Sequence, residues 1–204
     1  MGDYSICIYL SEATTNCGIT ALFPQLLLCH CQTWGYYLTE NCTVELASYG
    51  YDDSTKHGYV RTNGGSSEDT YAVGNFESYR GVTLFELDAT TCTTKKGRQF
   101  DTYSSAYVSM QLVETLESIM TGTIIVGVAA DSAEHQSTHF RNSANVFFTS
   151  YYMSLSEVGF RDKFAFVMQK GYPQKTLFQG KPRYGESLRM TVALRGKLWA
   201  IYLN

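Results

Sequence analysis

The pattern of apolar and polar positions predicts a domain built mainly of β-strands. Residues 43–49 alternate apolar and polar side chains, and 59–62 follow after a polar loop, so these two segments predict an antiparallel hairpin. Residues 81–87 and 98–103 predict a second hairpin, with Cys92 at its tip. The repeated pairing of short strands indicates a sheet-rich fold.

One segment departs from the strand period. Between residues 104 and 120, apolar side chains recur at helical spacing, with a serine cap at the start and Gly122 after the end. Residues 123–130 are apolar on both faces, which is typical of a central strand covered on both sides. Residues 131–134 (DSAE) match a capping box, which predicts a short second helix extending to about residue 145.

The remaining segments complete the predicted sheet. Residues 163–169 predict a strand, and 188–194 with 197–203 predict the pair that closes the sheet. Residues 63–67 and 170–173 are rich in turn-forming side chains, and we expect loops there.

Composition and charge narrow the function. The chain has 204 residues, enough for one sizeable domain with an elaborated end, and its 16 Tyr, 11 Phe and 17 Gly against 3 Pro suit pleated strands joined by tight turns. With 16 basic and 19 acidic residues, the net charge of −3 gives no broad attraction to nucleic acid or to anionic membranes. No apolar stretch is long enough for membrane insertion. We therefore expect recognition to depend on local geometry.

The cysteines suggest an oxidising compartment. Five of the six lie within the first 42 residues, which predicts a disulfide-tied N-terminal extension at 1–38, ahead of a main domain at 39–204. Zinc binding at residues 29–31 (CHC) is the weaker interpretation, since metal knuckles have longer spacing. A glycosylation sequon at residues 41–43 also fits a secreted, extracellular protein. Residues 1–4 lack the basic region of a secretory leader, so we expect Met1 to be an added or mature start.

Three charged residues stand at the ends of apolar, strand-like runs: Arg80, Asp131 and Arg161. A charge at a strand end points into a loop rim, where binding sites are commonly built on a rigid scaffold. We hypothesise that the three side chains converge to hold a polar ligand. Each also has a structural interpretation: Asp131 as a helix cap, Arg161 paired with Asp162, and Arg80 covering Tyr79.

Neither a metal nor a cofactor is expected. His135 and His139 are four residues apart, but the metal-binding order of a His-Glu-x-x-His motif and a third ligand are both missing. No phosphate loop, dinucleotide fingerprint or nucleophile elbow occurs. Glycoside hydrolysis would need paired carboxylates, with Asp101 and either Asp131 or Asp162 as candidates. We expect a non-catalytic protein.

Five motifs occur in an order and spacing that resemble a known family: residues 80–82 (RGV), 100–103 (FDTY), 112–124, 128–131 (VAAD) and 159–166 (GFRDKFAF). The chain resembles the ILEI/PANDER-like domain of the interleukin-like epithelial–mesenchymal transition inducer and pancreatic-derived factor. That domain is also the stem domain of protein O-mannose N-acetylglucosaminyltransferase and occurs in cell-surface hyaluronan-binding proteins. The resemblance covers roughly residues 43 to 180, and it implies an α+β fold in which two antiparallel β-sheets pack as a sandwich with a few short helices.

The resemblance also implies a ligand. The stem domain binds β-linked N-acetylglucosamine through an Arg-Gly turn, an Asp after the central strand and an Arg before a Phe-Ala-Phe strand, and these correspond to Arg80, Asp131 and Arg161. Phe160 stands where the family usually has Trp. Three residues are expected as secondary contacts: Tyr103, Phe160 and Asp162.

The sequence therefore predicts a secreted lectin that recognises N-acetylglucosamine or a related N-acetyl or galactosyl sugar. Its partners would be glycans or glycoproteins, with no nucleic acid. Affinity for one sugar would be about millimolar, so useful binding favours a homo-oligomer. The alternative is a cytokine-like signalling protein that binds a protein receptor, because cytokine-like members share the fold.

Overall fold

The ends of the chain's strands determine where its charged side chains meet. The structure, a computed structural model, describes residues 42–53, 58–64, 67–73, 80–181, 187–195 and 198–202. The predicted N-terminal extension at 1–38 and Asn41 of the sequon lie outside the described residues, so neither prediction is tested.

The described residues form ten strands, two α-helices and one short 3-10 helix. The strands are β1 (Cys42–Gly50), β2 (Gly58–Gly64), β3 (Ser67–Val73), β4 (Gly81–Leu87), β5 (Thr94–Phe100), β6 (Ile124–Asp131), β7 (Lys163–Gln169), β8 (Tyr172–Lys181), β9 (Leu188–Arg195) and β10 (Leu198–Tyr202). The helices are α1 (Ala106–Ser118) and α2 (His139–Ser150), and the 3-10 turn is Leu155–Glu157.

The strands form one connected ten-stranded sheet with two antiparallel five-stranded parts, which we call the first sheet and the second sheet. The first sheet has the order β3-β2-β1-β9-β10 and the second has the order β5-β4-β6-β7-β8. Both predicted hairpins, β1–β2 and β4–β5, are confirmed. The two sheets are joined by a short parallel contact between β1 and β6, in which Tyr49 pairs with Ala130 and Gly50 with Asp131. This parallel contact was absent from the prediction of purely antiparallel sheets.

Strand β6 is buried on both faces, as predicted. Ile124, Val126 and Val128 pack into an apolar cluster that contains residues of both sheets. Ile125 and Ala129 point the other way, into a cluster shared with the helices. The fold is thus sheet-dominated with two short helices, an α+β fold, and the sandwich arrangement stays a prediction.

Helix α1 follows the prediction closely. The hydroxyl of Ser105 accepts a hydrogen bond from the backbone N–H of Val108 at 3.3 Å and so caps the helix. Leu112 and Leu116 are fully buried against the rest of the molecule. None of the described helices has the length and apolar character needed to cross a bilayer.

The predicted start of the second helix at a capping box is wrong. Asp131 is the last residue of β6, because its pairing with Gly50 extends the strand, and α2 begins at His139. Glu134 still caps this helix, although it lies five residues before the first helical residue in the sequence. Its carboxylate accepts hydrogen bonds from the backbone N–H groups of Phe140 at 3.2 Å and Arg141 at 2.7 Å. Burial raises the pKa of Glu134, although these hydrogen bonds oppose the shift.

Both predicted loops, 63–67 and 170–173, overlap with strands at their ends. Residues 67–73 form β3 and pair with β2, and residues 172–181 form β8 and pair with β7. Strand β5 also begins at Thr94, earlier than the predicted residue 98. The turn between β4 and β5 carries Cys92, which forms a disulfide with Cys42 at the start of β1. This bond therefore connects the two sheets.

Candidate functional site

The second sheet brings Arg80 and Asp131 to the same end. Strands β4 and β6 run antiparallel with Gly81 opposite Ala130, so Arg80 and Asp131 occupy the next positions at the end of the pair. Asp131 is half-buried. Its backbone φ of 61° lies in the left-handed region, which aspartate tolerates better than most residues. The chain consequently turns sharply where the predicted binding carboxylate stands.

Arg161 reaches this end through the turn before β7. Its backbone N–H donates a hydrogen bond to the hydroxyl of Ser132 at 3.2 Å, and Ser132 directly follows Asp131. Arg161 also has a left-handed φ of 65°, which is uncommon for arginine and is typical of backbone held by its surroundings. The three side chains predicted from strand ends therefore originate from one end of the second sheet.

Arg80 is held by an acidic and an aromatic side chain. Its Nε donates to Oδ1 of Asp101 at 3.0 Å, and its Cζ lies 4.3 Å from the ring centroid of Tyr103. The hydrogen bond to Asp101 raises the pKa of Arg80, with Asp131 adding a smaller electrostatic effect in the same direction. Tyr79, the aromatic residue that the alternative interpretation places under Arg80, is outside the described residues.

The glycine after Arg80 is required by the backbone. Gly81 has a φ of 101°, and a Cβ at this position would lie 2.1 Å from the carbonyl oxygen of Phe100. Only glycine accommodates both the angle and the close approach. This local requirement explains the Arg-Gly sequence and fixes where the Arg80 side chain begins.

Arg161 packs between two aromatic rings. Its Cζ lies 4.0 Å from the ring centroid of Tyr51 and 4.8 Å from that of Phe160, distances typical of cation–π contacts. Its Nη1 lies 3.5 Å from Oδ1 of Asp52. Asp162 closes the preceding turn by accepting a hydrogen bond from the N–H of Gly159 at 2.7 Å.

The two arginine environments are connected. The rings of Tyr103 and Phe160 lie 6.3 Å apart, so a row of contacts runs from Arg80 through these two rings to Arg161 and on to Tyr51. Tyr51 keeps 46% of its surface exposed at the end of this row. We call the six predicted residues together with Tyr51, Asp52 and Asp101 the corner site.

Sequence reasoning missed three of these residues: Tyr51, Asp52 and Asp101 as the partner of Arg80. Tyr51 and Asp52 follow β1, which belongs to the first sheet, and they reach the second sheet only through the parallel contact with β6. The one available signal was that a polar loop follows an amphipathic strand, and that signal does not indicate where the loop packs.

A buried ion pair fixes the turn that carries Tyr51 and Asp52. The carboxylate of Asp53 accepts a hydrogen bond from the N–H of Gly50 at 2.9 Å and also pairs with Nζ of Lys163. The side chains of Asp53 and Lys163 are 1% and 0% exposed. Because Lys163 begins β7, two residues after Arg161, this pair holds together both sides of the Arg161 environment.

Two histidines flank the corner site. The ring of His135 meets that of Tyr103 edge-on at 4.8 Å, and His139 stacks on His135 at 4.9 Å. The hydroxyl of Ser137 lies within hydrogen-bond distance of both rings, 2.7 Å from Nδ1 of His135 and 2.9 Å from Nε2 of His139. Within the part of the chain that the structure describes, no three His, Cys, Asp or Glu side chains group as metal ligands would.

Comparison with known proteins gives the class of the domain that carries this site. Residues 80–172 match the family model described as ILEI, Interleukin-like EMT inducer, and the predicted resemblance is confirmed. The matched segment contains all six predicted site residues, whereas Tyr51 and Asp52 lie upstream of it.

The chain is also similar to the cell migration-inducing and hyaluronan-binding protein of Mus musculus. The two are 28% identical over 115 residues, which is 56% of this chain and 8% of that protein. The chain therefore spans only a small part of the length of this relative.

Proposed function

We propose that this chain is a non-catalytic glycan-binding protein that recognises N-acetylglucosamine or a related terminal sugar at the corner site. The observation that carries the proposal is that Arg80, Asp131 and Arg161 start from one end of the second sheet, beside the half-exposed ring of Tyr51. Sugar hydroxyls both donate and accept hydrogen bonds, so a carboxylate beside guanidinium groups can engage neighbouring hydroxyls from both sides.

The aromatic rings of the corner site suit the apolar face of a sugar. A pyranose ring has an apolar face of C–H groups, and the rings of Tyr51, Phe160 and Tyr103 line the row between and beside the two guanidinium groups. Rigid aromatic side chains supply contact area at low entropic cost. In this proposal Asp131 and the arginines orient the sugar, and the aromatic rings and Asp162 complete the contacts.

The name of the murine relative, which includes hyaluronan binding, supports a carbohydrate ligand in general. The Cys42–Cys92 disulfide supports secretion into an oxidising compartment. One sugar site of this kind would bind with about millimolar affinity, near −4 kcal/mol, so we propose that glycans are held by several copies of the chain.

The proposal is tested with a glycan array followed by titration of the strongest ligand into the wild type and an Asp131→Asn variant. Asparagine keeps the side-chain size and tolerates the left-handed backbone, so the fold should survive. We expect saturable binding to glycans ending in N-acetylglucosamine, weakened at least about tenfold by Asp131→Asn, or about 1.4 kcal/mol.

Glu114→Gln serves as the matched control, because Glu114 is exposed on α1 and carries the same charge. Its binding should equal that of the wild type. An array without any saturable ligand would refute the proposal and would favour the cytokine-like alternative, in which the chain binds a protein receptor.

A further inference from the structure

The corner site contains more negative than positive charge. It holds two guanidinium groups, on Arg80 and Arg161, and four carboxylates, on Asp52, Asp101, Asp131 and Asp162. Two of these carboxylates contact the guanidinium groups directly: Asp101 lies 3.0 Å from Arg80, and Asp52 lies 3.5 Å from Arg161. The positive charge that an acidic ligand would need is therefore already compensated within the protein.

Compensation of charge does not remove the hydrogen-bond donors. A guanidinium group has five N–H groups, and each ion pair here involves one nitrogen, Nε of Arg80 and Nη1 of Arg161. The remaining N–H groups can donate to a neutral acceptor such as a hydroxyl or an N-acetyl carbonyl. The same groups offer little net attraction to a second anion, because the nearby carboxylates repel it.

The solvent exposure of the site sets the range of this repulsion. The side chains of Arg80 and Asp101 are 40% and 36% exposed, and those of Arg161 and Asp52 are 33% and 24% exposed. Charges at such positions are screened by water and salt beyond about 10 Å at 0.1 M salt. The effect should thus act on a sugar held in the site, and should not repel distant parts of a long glycan.

We propose that the corner site selects neutral N-acetylhexosamines and rejects sugars that place a uronate or sialate carboxylate in the site, with Asp52 and Asp101 as the residues that set this specificity. The inference rests on the proposed function, since it concerns the ligand of the same site. We therefore expect this chain to bind hyaluronan, the acidic glycan in the name of the murine relative, more weakly than a neutral glycan.

The test compares two oligosaccharides of equal length. Chitotetraose carries N-acetylglucosamine at every position and is neutral, whereas a hyaluronan tetrasaccharide alternates N-acetylglucosamine with glucuronate. We expect the wild type to bind chitotetraose at least about tenfold more tightly in about 20 mM NaCl, and we expect this ratio to shrink in about 500 mM NaCl as the repulsion is screened.

Variants assign the effect to the two carboxylates. Asp52→Asn/Asp101→Asn retains hydrogen-bond acceptors but removes two negative charges, and we expect it to bring the affinity ratio below about threefold by strengthening hyaluronan binding. Glu114→Gln/Glu117→Gln removes the same charge from the exposed face of α1 and should leave the ratio unchanged. The single variant Asp52→Asn should give an intermediate ratio if the double variant binds too weakly to measure.

Four results would overturn the proposal. Equal affinity of the wild type for the two tetrasaccharides, or a ratio that is insensitive to salt, would show that charge does not select the ligand. An unchanged ratio in Asp52→Asn/Asp101→Asn would remove these two residues as its cause. If neither tetrasaccharide bound, and the array were also blank, the proposed function would fail together with this inference.

Discussion

Replacing Lys163 with methionine tests the anchor beneath the corner site. The side chain of Lys163 is completely buried, and its Nζ pairs with the carboxylate of Asp53, which is 1% exposed. Methionine fills a similar volume without a charge. The variant would leave a buried carboxylate that still accepts a hydrogen bond from the N–H of Gly50 at 2.9 Å.

The structure gives the size of the expected effect. Removing one partner of a buried ion pair costs about 3–5 kcal/mol, because the other charge stays desolvated and uncompensated. Replacing both partners costs much less, since no buried charge remains. We therefore expect Lys163→Met to lower the free energy of unfolding by about 3–5 kcal/mol, and Lys163→Met/Asp53→Asn to lower it by only about 1–2 kcal/mol. The double variant should thus lose much less stability than the sum of the two single variants.

Urea denaturation of the wild type, both single variants and the double variant provides the measurement, with the free energy taken from the midpoint and the slope. Lys95→Met is the control, because Lys95 is 58% exposed and its ion pair with Asp88 should contribute less than about 1 kcal/mol. Additive single effects, or a loss below about 1 kcal/mol in Lys163→Met, would refute the argument that this pair is buried and coupled.

Two further perturbations test other parts of the fold. The hydrogen bond from Lys95 lowers the pKa of Asp88 from 3.8 to about 2, so the contribution of Asp88 to stability is complete above about pH 4 and is lost as the pH falls through about 2. Asp88→Ala should therefore cost about 1 kcal/mol in urea denaturation at pH 7 and almost nothing near pH 2. An equal cost at both pH values would contradict the assignment. In the central strand β6, a Cβ on Gly127 would lie 2.1 Å from the ring of Phe166, so Gly127→Ala should lower the free energy of unfolding by about 1–3 kcal/mol. The double variant Gly127→Ala/Phe166→Leu should restore part of this loss. An unchanged melting temperature in Gly127→Ala would show that the ring moves freely.

Local patterns predicted the parts of the fold that local forces determine. The hairpin β1–β2, helix α1 with its Ser105 cap and the doubly buried β6 all follow from periodicity and capping within a short window. Strand β8 was missed because its residues show no clear alternation of burial and it begins at Tyr172, directly before a proline. Strand β3 was missed because its sequence, SEDTYAV, follows turn-forming residues and begins with polar side chains.

Long-range pairing explains the other differences. The DSAE sequence matches a capping box, but Asp131 pairs with Gly50 of a distant strand and remains in β6. The same contact brings Tyr51 and Asp52 beside Arg161, and no pattern within residues 43–62 indicates that neighbour. The prediction that three charges stand at strand ends needed only the ends of the apolar runs, so Arg80, Asp131 and Arg161 were found and their partners were not.

The parallel contact between β1 and β6 also separates the limits of the family match from the limits of the corner site. A recombinant fragment cut to residues 80–172 would retain both arginines but would lose Tyr51, which lies 4.0 Å from the guanidinium of Arg161, and the Asp52 carboxylate. Under the proposed function, substitutions in the loop after β1 would change ligand choice while the family signature stays intact. Two chains with the same signature would then bind different glycans.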